Sequence, residues 1–342
     1  MLRRQNWISI AITLVALAIT YGLGTTFLTM ELERIVEKTL TPHIQTSSSI
    51  EAMSQAIFSG GVDRFMASHP VRLIGFGCMG IVLLLTIVGF VTEKKGLASF
   101  GSLGFILSIY AYFVLHMSFL AGLGVLTALW QPFWGGWIQL GDISYLPYMI
   151  LVYPFSLLGV DVRWIVVGLF TNAGLLIFIL GVLTWFYAHL KKKGVADFWI
   201  YRLSRHPQYL GWIMWSYGLM LRTSLRTDLV LQRSNPGASL PWVISTLIIL
   251  CVALSEEMQM RHDHNQTYEQ YCRKVPFMLP LPRILRDWIA APTRWLLKRE
   301  VPESGRDVVA IFLIYLVLVM LLSLPFVLLH WSAGGGWMQW PF

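Results

Sequence analysis

Charge is scarce in this chain. Only 13% of its 342 residues are Asp, Glu, Lys or Arg, against about 25% in an ordinary soluble domain. Hydrophobic residues reach 56%, and mean hydropathy is +0.62. That shortage excludes a soluble globular enzyme and a disordered protein. Cysteine is also scarce: Cys78, Cys251 and Cys272 are the three, and two of them sit in apolar runs, which excludes a disulfide scaffold. Strict alternation of apolar and polar residues is missing as well. The apolar runs are continuous, and several reach the ~20 residues that a helix needs to cross a bilayer. Backbone exposed to lipid must be helical or part of a closed barrel, and continuous runs select the helix.

What is present is an all-α integral-membrane pattern. The expected spans are 7–29, 71–91, 101–130, 162–189, 207–225, 240–255 and 308–330. A further apolar stretch, 143–160, is interrupted by Pro147 and Pro154, and we read it as re-entrant or interfacial. The fold expected is a multi-span helix bundle of about seven crossings plus that segment. Under this arrangement the N-terminus and the loops 92–99, 190–206 and 256–307 share one side. They hold 18 of the 26 basic residues and 10 of the 18 acidic ones, so the whole net charge of +8 falls on that face. The positive-inside bias assigns it to the cytoplasm. The charge is therefore a topology signal and not a sign of nucleic-acid binding. Arg3-Arg4 and the apolar stretch after them read as a retained helix, because the stretch exceeds the apolar core of a signal peptide. By organisation, 1–142 reads as N-terminal membrane helices with an extracytoplasmic loop at 31–70. Residues 143–290 read as a membrane core, and 291–342 as a linker and a last membrane helix. Trp130, Trp134 and Trp137 suit an aromatic belt at the interface.

Four constellations could carry chemistry. Gly75-Phe-Gly-Cys-Met-Gly80 matches G-x-G-x-x-G, but a dinucleotide site needs a preceding strand. Within a membrane helix the same glycines read as helix packing. His116 lies inside an apolar run and reads as a neutral imidazole bonded across helices. His262-Asp263-His264, near Glu256 and Glu257, has metal-ligand residue types. Positions i and i+2 of a helix point apart, so a solvated polar face is expected and no metal site. The fourth is Tyr201-Arg-Leu-Ser-Arg-His-Pro-Gln-Tyr-Leu-Gly211, which runs directly into a span. Pro207 suits a first helical turn, leaving Arg205 and His206 at a helix N-terminus, a place that favours anions. A second span, 240–255, then ends at Glu256-Glu257 and is short for a bilayer at 1.5 Å per residue. Folding 207–225 and 240–255 into a hairpin brings Arg205, His206 and both glutamates to one mouth.

At these residues the chain resembles the isoprenylcysteine carboxyl methyltransferase family and the wider group of integral-membrane phospholipid methyltransferases. The shared pattern is Arg205, His206, Pro207, Tyr209 and Gly211, then Glu256 and Glu257, then Tyr268, Tyr271 and Val275-Pro276. It covers roughly residues 160–285. The chain departs from the pattern at His264-Asn265-Gln266-Thr267, where the family commonly has Phe-Gly. The resemblance implies S-adenosylmethionine bound at the cytoplasmic mouth, with Arg205, His206, Pro207, Tyr209, Gly211, Glu256 and Glu257 lining its pocket. Glu257 or Glu256 would accept hydrogen bonds from the ribose hydroxyls or the adenine amine. Arg202, Tyr268, Tyr271 and Arg273 would face an acceptor that is lipid-like or prenylated. Two other readings stand beside it. Membrane sterol reductases share a related bundle and bind NADPH at a His-Asn-x-Asn-Tyr-x-Gly-Asp stretch, where this chain has Pro207 and Trp212 in place of asparagine and aspartate. A non-catalytic membrane protein that keeps the fold is the other.

Overall fold

The computed structural model describes residues 69–106, 140, 143–192, 194–225, 239–298 and 301–332. Among these residues the chain is all-helical. It forms α1 (His69–Val91), α2 (Lys95–Ile106), α3 (Leu146–Ser156), α4 (Arg163–Leu190), α5 (Pro207–Leu225), α6 (Ser239–Lys274), α7 (Arg283–Leu297) and α8 (Gly305–Ser332). Short 3₁₀ turns at Ile143–Tyr145 and Trp199–Arg202 lead into α3 and precede α5.

Four of the described helices contain segments long and apolar enough to cross a membrane: Leu73–Val91, Arg163–Leu190, Ser239–His264 and Gly305–Phe326. The expected spans 7–29 and most of 101–130 lie outside the described residues, as do His116, the tryptophans near 130–137 and the loop 31–70. The expected span 207–225 is a helix, α5, but it is not one of the four. Gln208, Ser216, Arg222, Thr223 and Ser224 lower its hydropathy. Much of its apolar demand is met by protein, since Ser216 through Leu221 are buried. α3 has 11 residues, about 16 Å of helix, which is too short to cross a ~30 Å hydrocarbon core.

α6 joins the second span of the hairpin, 240–255, to the polar helix-like run that follows it. It runs unbroken for 36 residues through Glu256-Glu257 to Lys274. The reason lies in the backbone. No glycine or proline occurs between Pro241 and Pro276, so nothing interrupts the i→i−4 hydrogen bonds until Pro276 ends the helix. The two glutamates therefore project from the middle of a rod about 54 Å long.

α6 is the central element. Ile248, Val252 and Leu247 pack with Phe90 of α1, Ala98 and Phe105 of α2, and Val308 and Phe312 of α8. Ser102 and Ser245 hydrogen-bond across α2 and α6 at 2.8 Å, satisfying two buried hydroxyls. On the other side Tyr148 and Val152 of α3 join Val166 and Val167 of α4 and Tyr217 and Leu221 of α5. Trp242 links the two groups, with its ring 4.9 Å from that of Tyr217 and its indole N–H donating to Ser216 at 3.1 Å. The outer faces keep large apolar side chains exposed, among them Leu84, Ile165, Leu169, Val317 and Leu321. Such a belt suits hydrocarbon rather than water.

The Gly-x-Gly-x-x-Gly stretch lies inside α1, as expected. At two of its three glycines no other helix approaches closely. A Cβ on Gly77 or Gly80 would meet nothing within 4 Å, and of the three glycines only Gly75 is buried. The charged loops converge at one end of the bundle. Lys95 Nζ donates to Gln259 at 2.5 Å, Gly194 lies against the His264 ring, and Gly305 lies against the Phe90 carbonyl.

Candidate functional site

The site sits at that charged end, where the N-terminus of α5 meets the middle of α6. Three local features place it. Pro207 opens α5, and the His206 carbonyl accepts the first helical bond, from Leu210 N–H at 3.0 Å. The Arg205 N–H donates to the Pro276 carbonyl at 3.0 Å, tying the entry of α5 to the chain that leaves α6. His206 N–H donates to Ser204 Oγ at 3.2 Å. α5 itself is pressed against α4 with almost no gap. A Cβ on Gly211 would lie 2.2 Å from the Phe178 nitrogen, and one on Gly181 would lie 2.6 Å from the Gln208 nitrogen. Pro207 is fully buried beside Gly181. The places of Gly211 and Pro207 in this seam are thus accounted for by helix packing.

The two adjacent glutamates have different surroundings. Glu257 is buried, with 5% of its side chain exposed. Its carboxylate meets Arg205 Nη1 at 2.5 Å, His206 Nε2 at 3.4 Å and Arg261 Nη2 at 3.7 Å. A buried carboxylate is tolerated only when cations and donors of this kind compensate its lost hydration. Glu256 is 32% exposed. It accepts a 2.6 Å hydrogen bond from the Tyr209 hydroxyl, and its second oxygen lies 3.8 Å from His206 Nδ1. The imidazole of His206 thus stands between the two carboxylates. One face of it stacks on Tyr209 at 5.8 Å, and the edge of Phe277 closes it at 5.1 Å. Phe277 also carries the Arg205 guanidinium, 5.6 Å from its ring centre, in cation–π geometry.

Behind this cluster is a shell of tyrosines. Tyr271 donates to the Tyr201 carbonyl at 2.6 Å, and Tyr201 donates to Gln208 at 2.8 Å. Burial, and then the charge of Glu256, raises the Tyr201 phenol well above its ordinary value. Burial raises Tyr271, and burial with the charge of Glu257 raises Tyr268. All three are neutral donors at physiological pH. Tyr268 and Tyr271 pack with Val275 and brace the end of α6.

The structure therefore brings together Arg205, His206, Tyr209, Glu256 and Glu257. Tyr268 and Tyr271 stand behind them. Arg202 and Arg273 are exposed; Arg202 Nε donates to the Asp197 carbonyl at 3.4 Å and neither arginine joins the carboxylates. His262 bonds to Asp263 at 3.1 Å on an exposed face, and among the described residues no group of three or more His, Cys, Asp or Glu is arranged to hold a metal. Sequence reasoning missed Arg261 and Phe277. Arg261 was within reach, since it is four residues past Glu257 and so shares its helical face. Phe277 had no signal, because its place depends on how the chain turns back after Pro276. Arg205 Nε and Arg261 Nε are buried donors with no hydrogen-bond partner among the described residues, so the cluster still has N–H groups to offer a ligand. No family model matches the chain, and no curated protein or solved structure matches it.

Proposed function

We propose that the chain is an integral-membrane methyltransferase that uses S-adenosylmethionine and methylates a lipid-like or prenylated acceptor, with its cofactor site facing the cytoplasm. The observation that carries the reading is the division of labour between the glutamates. Glu257 is occupied by Arg205, His206 and Arg261, and holds the mouth together. Glu256, part-exposed beside Tyr209 and His206, is the carboxylate left to meet a ligand. Of the two residues that the resemblance offered for cofactor contact, Glu256 is therefore the one assigned to it.

A sulfonium is a cation, and a carboxylate with aromatic faces beside it is the environment that stabilises one. The transfer forms a bond between the acceptor nucleophile and the methyl carbon as the sulfur–methyl bond breaks, with the electron pair leaving on sulfur as S-adenosylhomocysteine. Such an in-line displacement depends on position and orientation. It needs no acid or base when the acceptor is already a carboxylate or thiolate anion. Arg205 and Arg261 are placed to orient an anionic group. The apolar belt around the bundle gives a lipophilic acceptor a lateral approach, while the cofactor enters from water.

The test is calorimetric titration of the purified protein in detergent with S-adenosylmethionine, S-adenosylhomocysteine and NADPH, paired with transfer of labelled methyl into a lipid extract. Micromolar binding of the first two and a labelled lipid product support the reading. Tight NADPH binding with none of S-adenosylmethionine replaces it with the reductase reading, and binding of neither leaves a non-catalytic protein.

A further inference from the structure

No residue of α7 belongs to the site described above. It is amphipathic in an unusual direction. Ile284, Trp288 and Trp295 form one stripe at i, i+4 and i+11, and Leu285, Ile289 and Leu296 form the stripe beside it. All six are exposed, with Ile284 at 75%, Trp288 at 78% and Trp295 at 79%. Arg286 lies on the opposite side and Arg294 on the flank, while Lys298, in a left-handed conformation, caps the C-terminus one turn past Trp295. The buried strip between them is narrow. It is marked by Thr293, whose hydroxyl shares a 2.9 Å hydrogen bond with the Tyr315 hydroxyl, and Tyr315 also donates to the Ile289 carbonyl.

That hook fixes the depth of α7. α8 begins at Gly305, against Phe90 at the charged end of the bundle. Tyr315 lies ten residues further along α8, about 15 Å of rise, in a helix apolar enough to cross a bilayer. Its side chain leans back toward the helix N-terminus, so its hydroxyl, and α7 with it, sits below the charged end but short of mid-span. This is the depth at which an interfacial helix sinks its apolar face 5–10 Å into the headgroup and acyl boundary. Charge points the same way. Residues 273–300 hold seven basic and two acidic residues, a net of +5, which complements an anionic leaflet. Tryptophans suit the interface itself.

We infer that α7 is an interfacial lipid-binding helix whose Ile284–Trp288–Trp295 face is seated among acyl chains while Arg286 and Lys298 hold anionic phospholipid headgroups. The occupant is the leaflet at the charged end of the bundle, not a second protein chain. The inference rests on no part of the methyltransferase reading. The connector Met278-Leu-Pro-Leu-Pro282 joins α7 to Phe277, so the helix also anchors the segment that closes over His206.

The experiment uses the full chain in vesicles of phosphatidylcholine, with and without phosphatidylserine, each lipid in turn carrying a photoactivatable acyl chain. Adducts are mapped by mass spectrometry. Adducts on the peptide 283–297 are expected from both lipids, with an excess from phosphatidylserine. Arg286→Gln with Lys298→Gln should cut that excess roughly five- to thirty-fold, at about 1 kcal/mol per basic residue near an anionic surface, and leave phosphatidylcholine adducts unchanged. Labelling of α8 around Leu313 and Val317 serves as the internal control. Labelled α8 with an unlabelled 283–297 would overturn the lipid seat. Equal labelling by both lipids, unmoved by the double substitution, would overturn the anionic preference. Chain-to-chain crosslinks from a Trp288→Cys variant, in place of lipid adducts, would give the face to a second copy.

Discussion

The two halves of α6 are one helix and two chemistries. Residues 239–255 bury Ile248, Val252 and Ala253 in the bundle core, and Ser245 finds a hydroxyl partner in Ser102. Residues 256–274 carry Glu256, Glu257, Arg261, Tyr268 and Tyr271, the part of the mouth that α6 supplies. Hydropathy changes abruptly at Ser255, but the backbone does not register the change, since helix continuity depends on unbroken peptide hydrogen bonds. A helix can therefore carry a site rigidly from the apolar core into the polar mouth. The 100° turn per residue then separates neighbours. Glu257 is rotated into Arg205 and Arg261, while Glu256 is rotated toward Tyr209 and the opening.

Breaking the polar half at Glu257 should have the largest effect. Glu257→Gln leaves Arg205 and Arg261 facing each other without their counter-charge, and removing one partner of a buried ion pair costs about 3–5 kcal/mol. A thermal-shift or denaturant titration in one detergent measures it. Arg205→Met with Glu257→Leu should recover most of that loss, since an apolar pair of similar volume tolerates burial. Failure of the double variant to recover would show that the charges, and not their mismatch, hold the mouth.

In the apolar half the corresponding change is Ile248→Ala. Ile248 is fully buried, and truncating such a side chain costs about 2–5 kcal/mol through lost contacts and a cavity. Cofactor affinity should stay unchanged in the protein that remains folded. A fall in affinity at equal folded fraction would erase the separation between the halves.

Glu256→Gln sharpens the comparison from the ligand side. Stability should move by less than about 1 kcal/mol, since Glu256 is part-exposed. S-adenosylmethionine affinity should fall roughly 10- to 150-fold, the loss of a hydrogen-bonding charge worth about 1.5–3 kcal/mol. Calorimetry on the variant and parent decides it, and equal affinities would move the cofactor away from Glu256. The smallest effect is expected from Glu269→Gln. Glu269 is exposed on the outer side of the same polar half, and both stability and affinity should match the parent within error.

Much of the bundle was legible from hydropathy. The runs at 71–91, 162–189 and 308–330 became α1, α4 and α8 with ends shifted by a few residues. α5 was legible as a helix but not as a helix sheltered by its neighbours, because one-dimensional hydropathy does not distinguish contact with lipid from contact with protein. The apolar span 240–255 and the polar helix-like run after it were legible as two segments, and only the structure shows them as one unbroken helix, α6, that ends before Pro276. At the site, the residue types and their meeting at one mouth could be read from Arg205-His206-Pro207 and Glu256-Glu257. Gly211 was grouped with the pocket because it shares the motif, and its tight contact with Phe178 shows a packing duty that spacing along one helix does not reveal.

By itself the sequence determined the all-helical, apolar character of the described chain, and the gathering of its acids and bases near the ends of apolar runs. Those follow from composition and period, which act locally along the chain. Tertiary structure alone decided which glutamate is locked and which is open, that Phe277 completes the cluster, and that α7 turns its tryptophans outward. Each of these depends on the rotation of one helix against another, and that rotation is set by close packing between residues distant in the chain, such as Gly211 against Phe178 and Thr293 against Tyr315.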